Sequence, residues 1–243
     1  MLMILRLNRS AYLKACLFLT FGVILAVQFE GMLRLAILFA VASTVFWIAT
    51  SWWIYDRAHI FELDWLDSAL GKSPGKWLNL HVGLDGITPV LNARFPGETG
   101  QTLDISDLSE DPNEATAPSL QHARRLLHQP LIRQTNWRYL PASNQTFDTV
   151  FLVLAAHEFR RAEVRERLFI EVQRVLRDDG RIVLVEHLRD ISNFVVFGPG
   201  AFHFLSRSSW FKATRAAGLV VLNDRRITPF VHAFVFGKQC GSL

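Results

Sequence analysis

The chain opens with two long stretches that carry no charged residue. The first covers residues 15–29 and the second residues 35–55, with a short connection between them. A membrane span takes about 20 apolar residues, so the second stretch is long enough to cross a bilayer. The first is shorter, but the charged end of Lys14 can reach the interface and so lengthen it. The pattern predicts a transmembrane helical hairpin over residues 1–58, rather than a cleaved signal peptide followed by a core helix.

Basic residues near the spans predict the orientation of this hairpin. Arg6, Arg9 and Lys14 lie before the first stretch and Arg57 follows the second, whereas the connection carries only Arg34. Lysine and arginine are enriched on the cytoplasmic side of membrane proteins, so both ends of the hairpin are expected in the cytoplasm. We therefore expect a location in a bacterial-type inner membrane, with the rest of the chain facing the cytoplasm.

Beyond the hairpin, short apolar runs alternate with amphipathic stretches. Residues 59–76 are interpreted as a linker or amphipathic segment, and residues 77–243 as one domain. Seven runs predict strands, at residues 77–82, 101–105, 131–139, 147–154, 181–186, 219–222 and 231–236. Helices are expected at residues 87–95, 119–128, 162–177 and 208–217, the last capped by Ser208 or Ser209. This alternation predicts an α/β domain with a doubly wound, mostly parallel, seven-stranded sheet that ends in two antiparallel strands.

Composition narrows the possible partners. A net charge of +4 without a dense run of Lys and Arg is more consistent with an anionic membrane surface than with a nucleic-acid groove. The two cysteines, Cys16 and Cys240, lie in the first apolar stretch and in the C-terminal tail, so neither a metal site nor a disulfide is expected. The expected partners are a membrane and a small molecule, and no nucleic acid.

Residues that follow the predicted strands are the first candidates for a site, because ligands of parallel sheets bind beyond the carboxyl ends of the strands. Gly83 follows the first predicted strand, and Asp104 lies in the second, about 20 residues later. Nucleoside-binding domains use such a glycine for a close backbone approach and such an acid for the ribose hydroxyls. On spacing alone, Asp104 is nearly as well explained as an ordinary acid at a strand end.

A more specific signal comes from the middle of the chain. The sequence NWRYLP at residues 136–141 precedes FDTV at 147–150, and EVQRVL at 171–176 leads through DG at 179–180 into RIVLV at 181–185. This order of motifs resembles the class I S-adenosylmethionine-dependent methyltransferases, especially the branch that methylates quinones and other small lipophilic acceptors. The resemblance covers about residues 77–238. It implies a Rossmann-like methyltransferase fold, S-adenosylmethionine as the cofactor, and Asn136, with Trp137 beside it, near the adenine.

The first glycine loop departs from that family's pattern. Where the family has an acid in the strand and then three glycines at alternate positions, this chain has Asn79, His81, Gly83 and Asp85. We therefore expect a degenerate first glycine motif in which only Gly83 is kept. Asp85 either meets the amino group of the cofactor's methionine part or caps the helix at Gly86. The loop also lacks the glycines that an ordinary dinucleotide site needs for its pyrophosphate, which disfavours a nicotinamide reductase.

Histidine stands beside glutamate twice at the ends of buried strands. His157 and Glu158 follow the fourth predicted strand, Glu186 and His187 lie at the end of the fifth, and His203 lies in an apolar segment farther on. Methyl transfer needs a proton acceptor when the acceptor is a hydroxyl or a weak carbon acid, and neutral histidine suits that role. We expect His187 to be the base, then His157, then His203, with an adjacent glutamate such as Glu186 either orienting the ring or raising its basicity. The alternatives are solvated strand ends and, for His203, an ordinary core histidine.

The sequence as a whole favours a membrane-anchored methyltransferase that acts on a lipophilic, membrane-held acceptor, as in lipid or pigment biosynthesis. The apolar segment 194–204 is either a lid over the acceptor or a surface loop against the hairpin. The altered glycine loop leaves a second function open, that of a catalytically inactive binding or scaffold subunit in a membrane biosynthetic complex. A homo-oligomer would fit either function.

Overall fold

The computed structural model of the chain describes residues 9–53, 60–83, 85–106 and 134–239. The helix predicted at residues 119–128 and the first residues of the strand predicted at 131–139 lie outside this part of the chain. The account of the fold and of the site therefore concerns the hairpin, the sheet and the elements that cover the sheet.

Two packed helices, α1 (Arg9–Gln28) and α2 (Gly31–Trp52), form the start of the described chain. A Cβ on Gly22 would lie 2.9 Å from Cγ2 of Val41, so this glycine lets the two helices approach closely. The predicted helical hairpin is therefore present as a pair of contacting helices.

One helix of the described chain is both long and apolar enough to cross a membrane. This segment is Gly31–Thr50 of α2, and its most apolar window has no residue buried inside the protein. The apolar part of α1, Leu13–Gln28, is shorter than a span requires. Two spans were expected from the sequence, and only one helix meets the requirement of length and composition.

The chain after the hairpin folds into a sheet with helices on both faces. The strands are β1 (Trp77–His81), β2 (Gly100–Asp104), β3 (Phe147–Val153), β4 (Leu176–His187), β5 (Leu219–Thr228) and β6 (Val231–Lys238). The helices are α3 (Leu66–Leu70), α4 (Thr88–Arg94), α5 (Ala162–Val175), α6 (Ile191–Phe197) and α7 (Arg207–Ala216). Short 3-10 helices lie at Ile60–Glu62, Ala156–Glu158 and Gly198–His203.

The strands lie in the order β2-β1-β3-β4-β6-β5. The first four are parallel, and β6 runs antiparallel to both of its neighbours. The predicted α/β class and its antiparallel closing strands are therefore confirmed. In this arrangement the carboxyl ends of β1 to β4 share one edge of the sheet with the turn that joins β5 to β6.

The prediction of a seventh strand at residues 131–139 is wrong, because the sheet of the described chain has six strands. Gln134 makes a single bridge to the end of β2, and the chain then forms a turn at residues 137–138. The backbone N–H of Leu140 donates to Oε1 of Glu171 at 2.7 Å, which ties this segment to α5 instead of to the sheet. Its apolar residues therefore pack over the core without pairing as a strand.

Several element boundaries differ from their predicted positions, and two of them have a clear local cause. β4 begins at Leu176, earlier than expected, because Leu176 pairs with Phe147 ahead of a bulge. The cap of α7 is Ser206, whose side chain accepts from the backbone N–H of Ser209, and not Ser208 or Ser209 itself. Both differences lie at an element's end, where sequence patterns carry the least information.

Two apolar cores fill the two faces of the sheet. On one face α5 and α7 bury Leu168 and Trp210 against β1, β3 and β4. On the other face Ile60 and Leu66 are buried against alternate residues of the same strands. The described part of segment 59–76, which the sequence presents as a linker or amphipathic segment, thus packs its apolar side chains on the domain.

The start of β2 offers a test of this packing. A Cβ on Gly100 would overlap the ring of Trp77, which is 1 % exposed and held in the core. We expect Gly100→Ala to lower the free energy of unfolding by about 1–3 kcal/mol, the usual cost of overpacking. Gly97→Ala is the matched control, because a Cβ there meets nothing within 4 Å. Chemical denaturation followed by tryptophan fluorescence measures both variants, and equal stability would contradict the contact with Trp77.

Candidate active site

The polar residues singled out by the sequence lie at the carboxyl ends of the parallel strands, in two groups. One group consists of Gly83 and Asp85 in the loop after β1 and of Asp104 at the end of β2. The other lies after β3 and at the end of β4, where His157 and Glu186 are in contact. This is the edge at which α/β sheets hold their ligands.

Asp104 holds the loop after β1 in place. Gly83 has a positive φ of 77°, and its N–H donates to Oδ1 of Asp104 at 3.2 Å. The same oxygen accepts from the N–H of Ser106 at 3.0 Å, and Asp104 is only 1 % exposed. Asp104 is therefore a buried, hydrogen-bonded carboxylate and not the solvent-exposed acid of an ordinary strand end. Its predicted contact with ribose stays a prediction.

Asp85 caps the start of α4. Its Oδ1 accepts from the N–H groups of Ile87 and Thr88 at 3.2 and 3.0 Å, as the capping alternative predicted. The amide of Asn79 donates to the same oxygen at 3.0 Å and to Oγ1 of Thr88 at 3.0 Å. The chain thus has an amide in the strand and an acid in the loop, and the two are hydrogen-bonded to each other. This pairing ties the end of the loop to β1 and to the start of α4.

Asn136 and Trp137 lie in different surroundings although they are neighbours in sequence. Trp137 is 2 % exposed and packs edge-on against Phe159 at a ring distance of 5.4 Å. It is a core residue, so the structure does not support its predicted contact with the cofactor. Asn136 is exposed, and its Oδ1 accepts from the N–H of Arg138 at 2.9 Å. Its predicted contact with the adenine stays a prediction.

His157 lies between two carboxylates. Its backbone N–H donates to Oε1 of Glu186 at 3.1 Å, and its ring Nδ1 donates to Oε2 of the same carboxylate at 2.9 Å. Ring Nε2 lies 3.4 Å from Oε1 of Glu158. Glu186 is 1 % exposed, whereas the side chain of His157 is 19 % exposed. The glutamate at the end of β4 therefore orients the histidine that follows β3, and not its own sequence neighbour.

The two carboxylates make the His157 ring strongly basic. Burial alone would lower the pKa of His157, but the charge of Glu186 and hydrogen bonds to Glu158 and Glu186 outweigh it. Together they raise the pKa of His157 to about 10. In turn, the hydrogen bond and the positive charge of His157 outweigh burial and lower the pKa of Glu158. At neutral pH the protein therefore carries an imidazolium held between two carboxylates.

His187, expected to be the base, points away from this group. It is 4 % exposed, its Nδ1 donates to the carbonyl oxygen of Phe230 at 3.0 Å, and its ring stacks on Phe204 at 4.8 Å. Burial lowers the pKa of His187 to about 4, so the ring is neutral at physiological pH. Successive side chains of a strand point to opposite faces, which separates His187 from Glu186. The structure therefore corrects the first choice of base and gives His187 a structural position.

His203 completes the group around His157. It is exposed, not a core histidine, and its ring lies 5.8 Å from that of His157. The guanidinium of Arg160 donates to its Nδ1 at 2.5 Å. Partial burial and the positive charges of Arg160 and His157 lower the pKa of His203. Sequence reasoning did not select Glu158 or Arg160 as site residues, and their closeness to His157 along the chain was the only available signal.

The family comparison covers the middle of the chain. Residues 105–184, about a third of the chain, match a family model described as a methyltransferase domain. Together with the fold, this match confirms the predicted enzyme class, a methyltransferase that uses S-adenosylmethionine. It favours the enzyme over the inactive scaffold. No curated protein sequence matches the chain.

Solved structures share the fold at low sequence identity. A protein from Pyrococcus horikoshii OT3 is 16% identical with a TM-score of 0.54, and the match covers 75% of this chain and 91% of that one. A SAM-dependent methyltransferase from Aquifex aeolicus is 15% identical with a TM-score of 0.52, covering 75% and 94%. An O-methyltransferase family 2 protein from Planctomyces limnophilus DSM 3776, solved with apigenin, is 16% identical with a TM-score of 0.54, covering 82% and 63%. At this identity the likeness shows the Rossmann-like fold.

The burial of His187 predicts an effect on stability. His187→Ala removes a hydrogen bond to Phe230 and leaves a cavity beside Phe204, so we expect the free energy of unfolding to fall by about 2–3 kcal/mol. His203→Ala is the control, because substitution of an exposed side chain usually changes stability by less than about 0.5 kcal/mol. Thermal denaturation measures both variants. A His187→Ala protein as stable as the control would place His187 outside the core.

The charge of His157 predicts a pH dependence of stability. A raised pKa stabilises the fold fully below the unfolded value of 6.5, and this contribution is lost as pH rises through the folded value of about 10. The difference in unfolding free energy between the protein and His157→Gln should therefore be largest near pH 6 and shrink toward pH 10. The free energy of unfolding of both proteins is measured with denaturant at each pH. Taking the difference between the two proteins cancels the contribution of other ionisable groups. A difference that does not change with pH would mean that His157 is not ion-paired.

Proposed function

We propose that this chain is a membrane-anchored methyltransferase that transfers a methyl group from S-adenosylmethionine to a lipophilic acceptor held in the bilayer. The observation that carries the proposal is the position of the His157–Glu186 pair. It lies at the ligand-binding edge of a methyltransferase-like sheet, and the same edge contacts the end of the candidate membrane span.

The contact between the span and the sheet runs through the β5–β6 turn. The ring of Trp53, directly after α2, lies edge-on to the ring of Phe230 at 6.2 Å. The carbonyl of Phe230 accepts in turn from His187, next to Glu186. Aromatic rings at the end of a span favour the membrane interface. A membrane-held acceptor would therefore meet the domain beside its candidate site. The basic residues at the outer ends of the hairpin, with Arg9 and Lys14 before the first apolar stretch and Arg57 after the second, favour the cytoplasmic side of an inner membrane.

Three residues of this edge are suited to hold the cofactor. Gly83 supplies a turn with positive φ after β1, Asp104 ends β2 in register with His81, and Asn136 is exposed after the bridge that follows β2. S-adenosylmethionine, when bound, supplies an electrophilic methyl group on a sulfonium. Because Asp85 is already engaged with Asn79 and the start of α4, we assign it to loop structure and not to the methionine amino group.

His157 is the group best placed to handle the acceptor's proton. Glu186 fixes its Nδ1, and Nε2 is paired only with the less buried carboxylate of Glu158, at 3.4 Å. An acceptor would therefore reach Nε2 by taking the place of Glu158 Oε1. The His157 ring is charged at neutral pH and the acceptor carries its own proton. One of these two protons must be lost to solvent before methyl transfer. His157 then either accepts the acceptor's proton or stabilises the acceptor as an anion. Both routes make the rate rise with pH.

We expect His157→Ala to lower turnover by about a hundredfold or more, the usual range for loss of a general base. The measurement is transfer of tritium from methyl-labelled S-adenosylmethionine to a membrane lipid extract by the detergent-solubilised full chain. Cofactor affinity, followed by calorimetry, should change little because His157 faces the acceptor. Normal turnover in this variant would remove His157 from the chemistry.

The pH profile separates a role in proton transfer from a structural one. The rate of the unaltered chain should rise from pH 6 toward the His157 pKa of about 10. In Glu186→Gln the shape of the side chain is kept but the charge that raises this pKa is lost, so the rise should move to lower pH. A lower rate with an unshifted profile would show that Glu186 only supports the fold.

A further inference from the structure

The outer face of α6 is apolar, and its side chains are exposed in the described part of the chain. Ile191 and Val195, four residues apart on one side of the helix, are 83% and 68% exposed. Phe202, in the 3-10 helix that follows, is 63% exposed, and its ring packs edge-on against Phe194 at 4.9 Å. We call Ile191, Val195 and Phe202 the α6 face. An exposed apolar patch of this kind marks a site that contacts a membrane or another protein.

The inner side of α6 is firmly attached to the domain. Asn193 is fully buried and donates to the carbonyl oxygens of Leu188 and Phe230 at 2.9 and 3.1 Å. Val196 is 5 % exposed, and Phe197 packs edge-on against His187 at 5.6 Å. The α6 face therefore belongs to a fixed element of the candidate site and not to a loose loop.

The α6 face continues the apolar surface of the candidate membrane span. α2 contacts α6 directly, and Trp53 at its end contacts Phe230, whose carbonyl holds Asn193. α2 itself presents large apolar side chains that nothing in the described chain covers, including Leu35, Phe39 and Phe46, which are 67%, 76% and 49% exposed. Because α2 and α6 are in contact, whatever covers the apolar side chains of α2 also reaches α6.

We propose that the α6 face lies in the membrane interface, as a second contact between the domain and the bilayer, and that the acceptor passes along it to His157. This inference rests on the proposed membrane anchoring. The occupant is a lipid bilayer, because the face is apolar and adjoins a helix with the length and composition of a span. Burial of these three side chains in lipid removes apolar surface from water.

One short segment joins the membrane contact to the site. Phe202 points outward, while the next residue, His203, places its ring 5.8 Å from the ring of His157. Phe204, the residue after, stacks on His187. A lipophilic acceptor that moves past Phe202 therefore reaches the His157 group within a few residues of chain. It would not need to leave the bilayer for water, which is the step that costs a lipophilic molecule most.

Spin-label accessibility of the full chain in vesicles tests the proposal. Cys16 and Cys240 are replaced by serine, and single cysteines are introduced by Val195→Cys on the α6 face, Leu38→Cys on α2 and Ile170→Cys on α5. Ile170 is the matched control, because it is 51% exposed on α5, whose main contacts are with α7 and β4. Each labelled protein is reconstituted in phosphatidylcholine–phosphatidylglycerol vesicles. The microwave-power saturation of its spectrum is then measured in the presence of oxygen, which enters lipid, or of a water-soluble nickel chelate.

We expect the label at Val195 to resemble the label at Leu38, with high access to oxygen and low access to the nickel chelate, and the label at Ile170 to show the reverse. A Val195 label open to the chelate while Leu38 is in lipid would overturn the α6 contact and leave the anchor intact. A Leu38 label open to the chelate would overturn the anchor itself. A Val195 label shielded from both reagents, or broadened by a second label, would indicate a protein partner or a second copy and would also overturn the bilayer contact.

Discussion

A single buried carboxylate organises the candidate site. Glu186 is 1 % exposed at the end of β4, and both of its oxygens are bonded to His157. A buried carboxylate without a positive partner is strongly unfavourable, so the position of Glu186 requires a charged group beside it. The histidine supplies that charge, and the same requirement explains its raised pKa. The turn after β3 is therefore held at the end of β4 by electrostatics as well as by packing.

The carbonyl of Phe230 links the site to the hairpin. It accepts hydrogen bonds from the ring of His187 and from the amide of Asn193, while the ring of the same residue contacts Trp53. The β5–β6 turn thus connects the end of β4, α6 and the end of α2. A mixed sheet makes this connection possible, because an antiparallel β6 brings the β5–β6 turn to the carboxyl ends of the parallel strands.

The loop after β1 is held by hydrogen bonds between its own side chains and the start of α4. Asn79 in β1 and Asp85 in the loop are hydrogen-bonded to each other. Asp85 also satisfies two N–H groups at the start of α4 that would otherwise lack partners. The loop keeps the feature that geometry demands, a residue at Gly83 that tolerates positive φ.

The sequence by itself determined the apolar hairpin, the alternation of strands and helices, and the set of polar residues that follow the strands, because each depends on local periodicity. The sequence did not show that Asn136 is exposed while its neighbour Trp137 is buried. It also did not show that a turn lies within the strand expected at residues 131–139. Only the tertiary structure decided which histidine is basic. Glu186 and His187 are neighbours along the chain, yet they point to opposite faces of β4. Glu186 is hydrogen-bonded to His157, which follows β3, whereas His187 packs against Phe197 and Phe204. The electrostatic surroundings of the two residues are therefore set by residues distant in sequence.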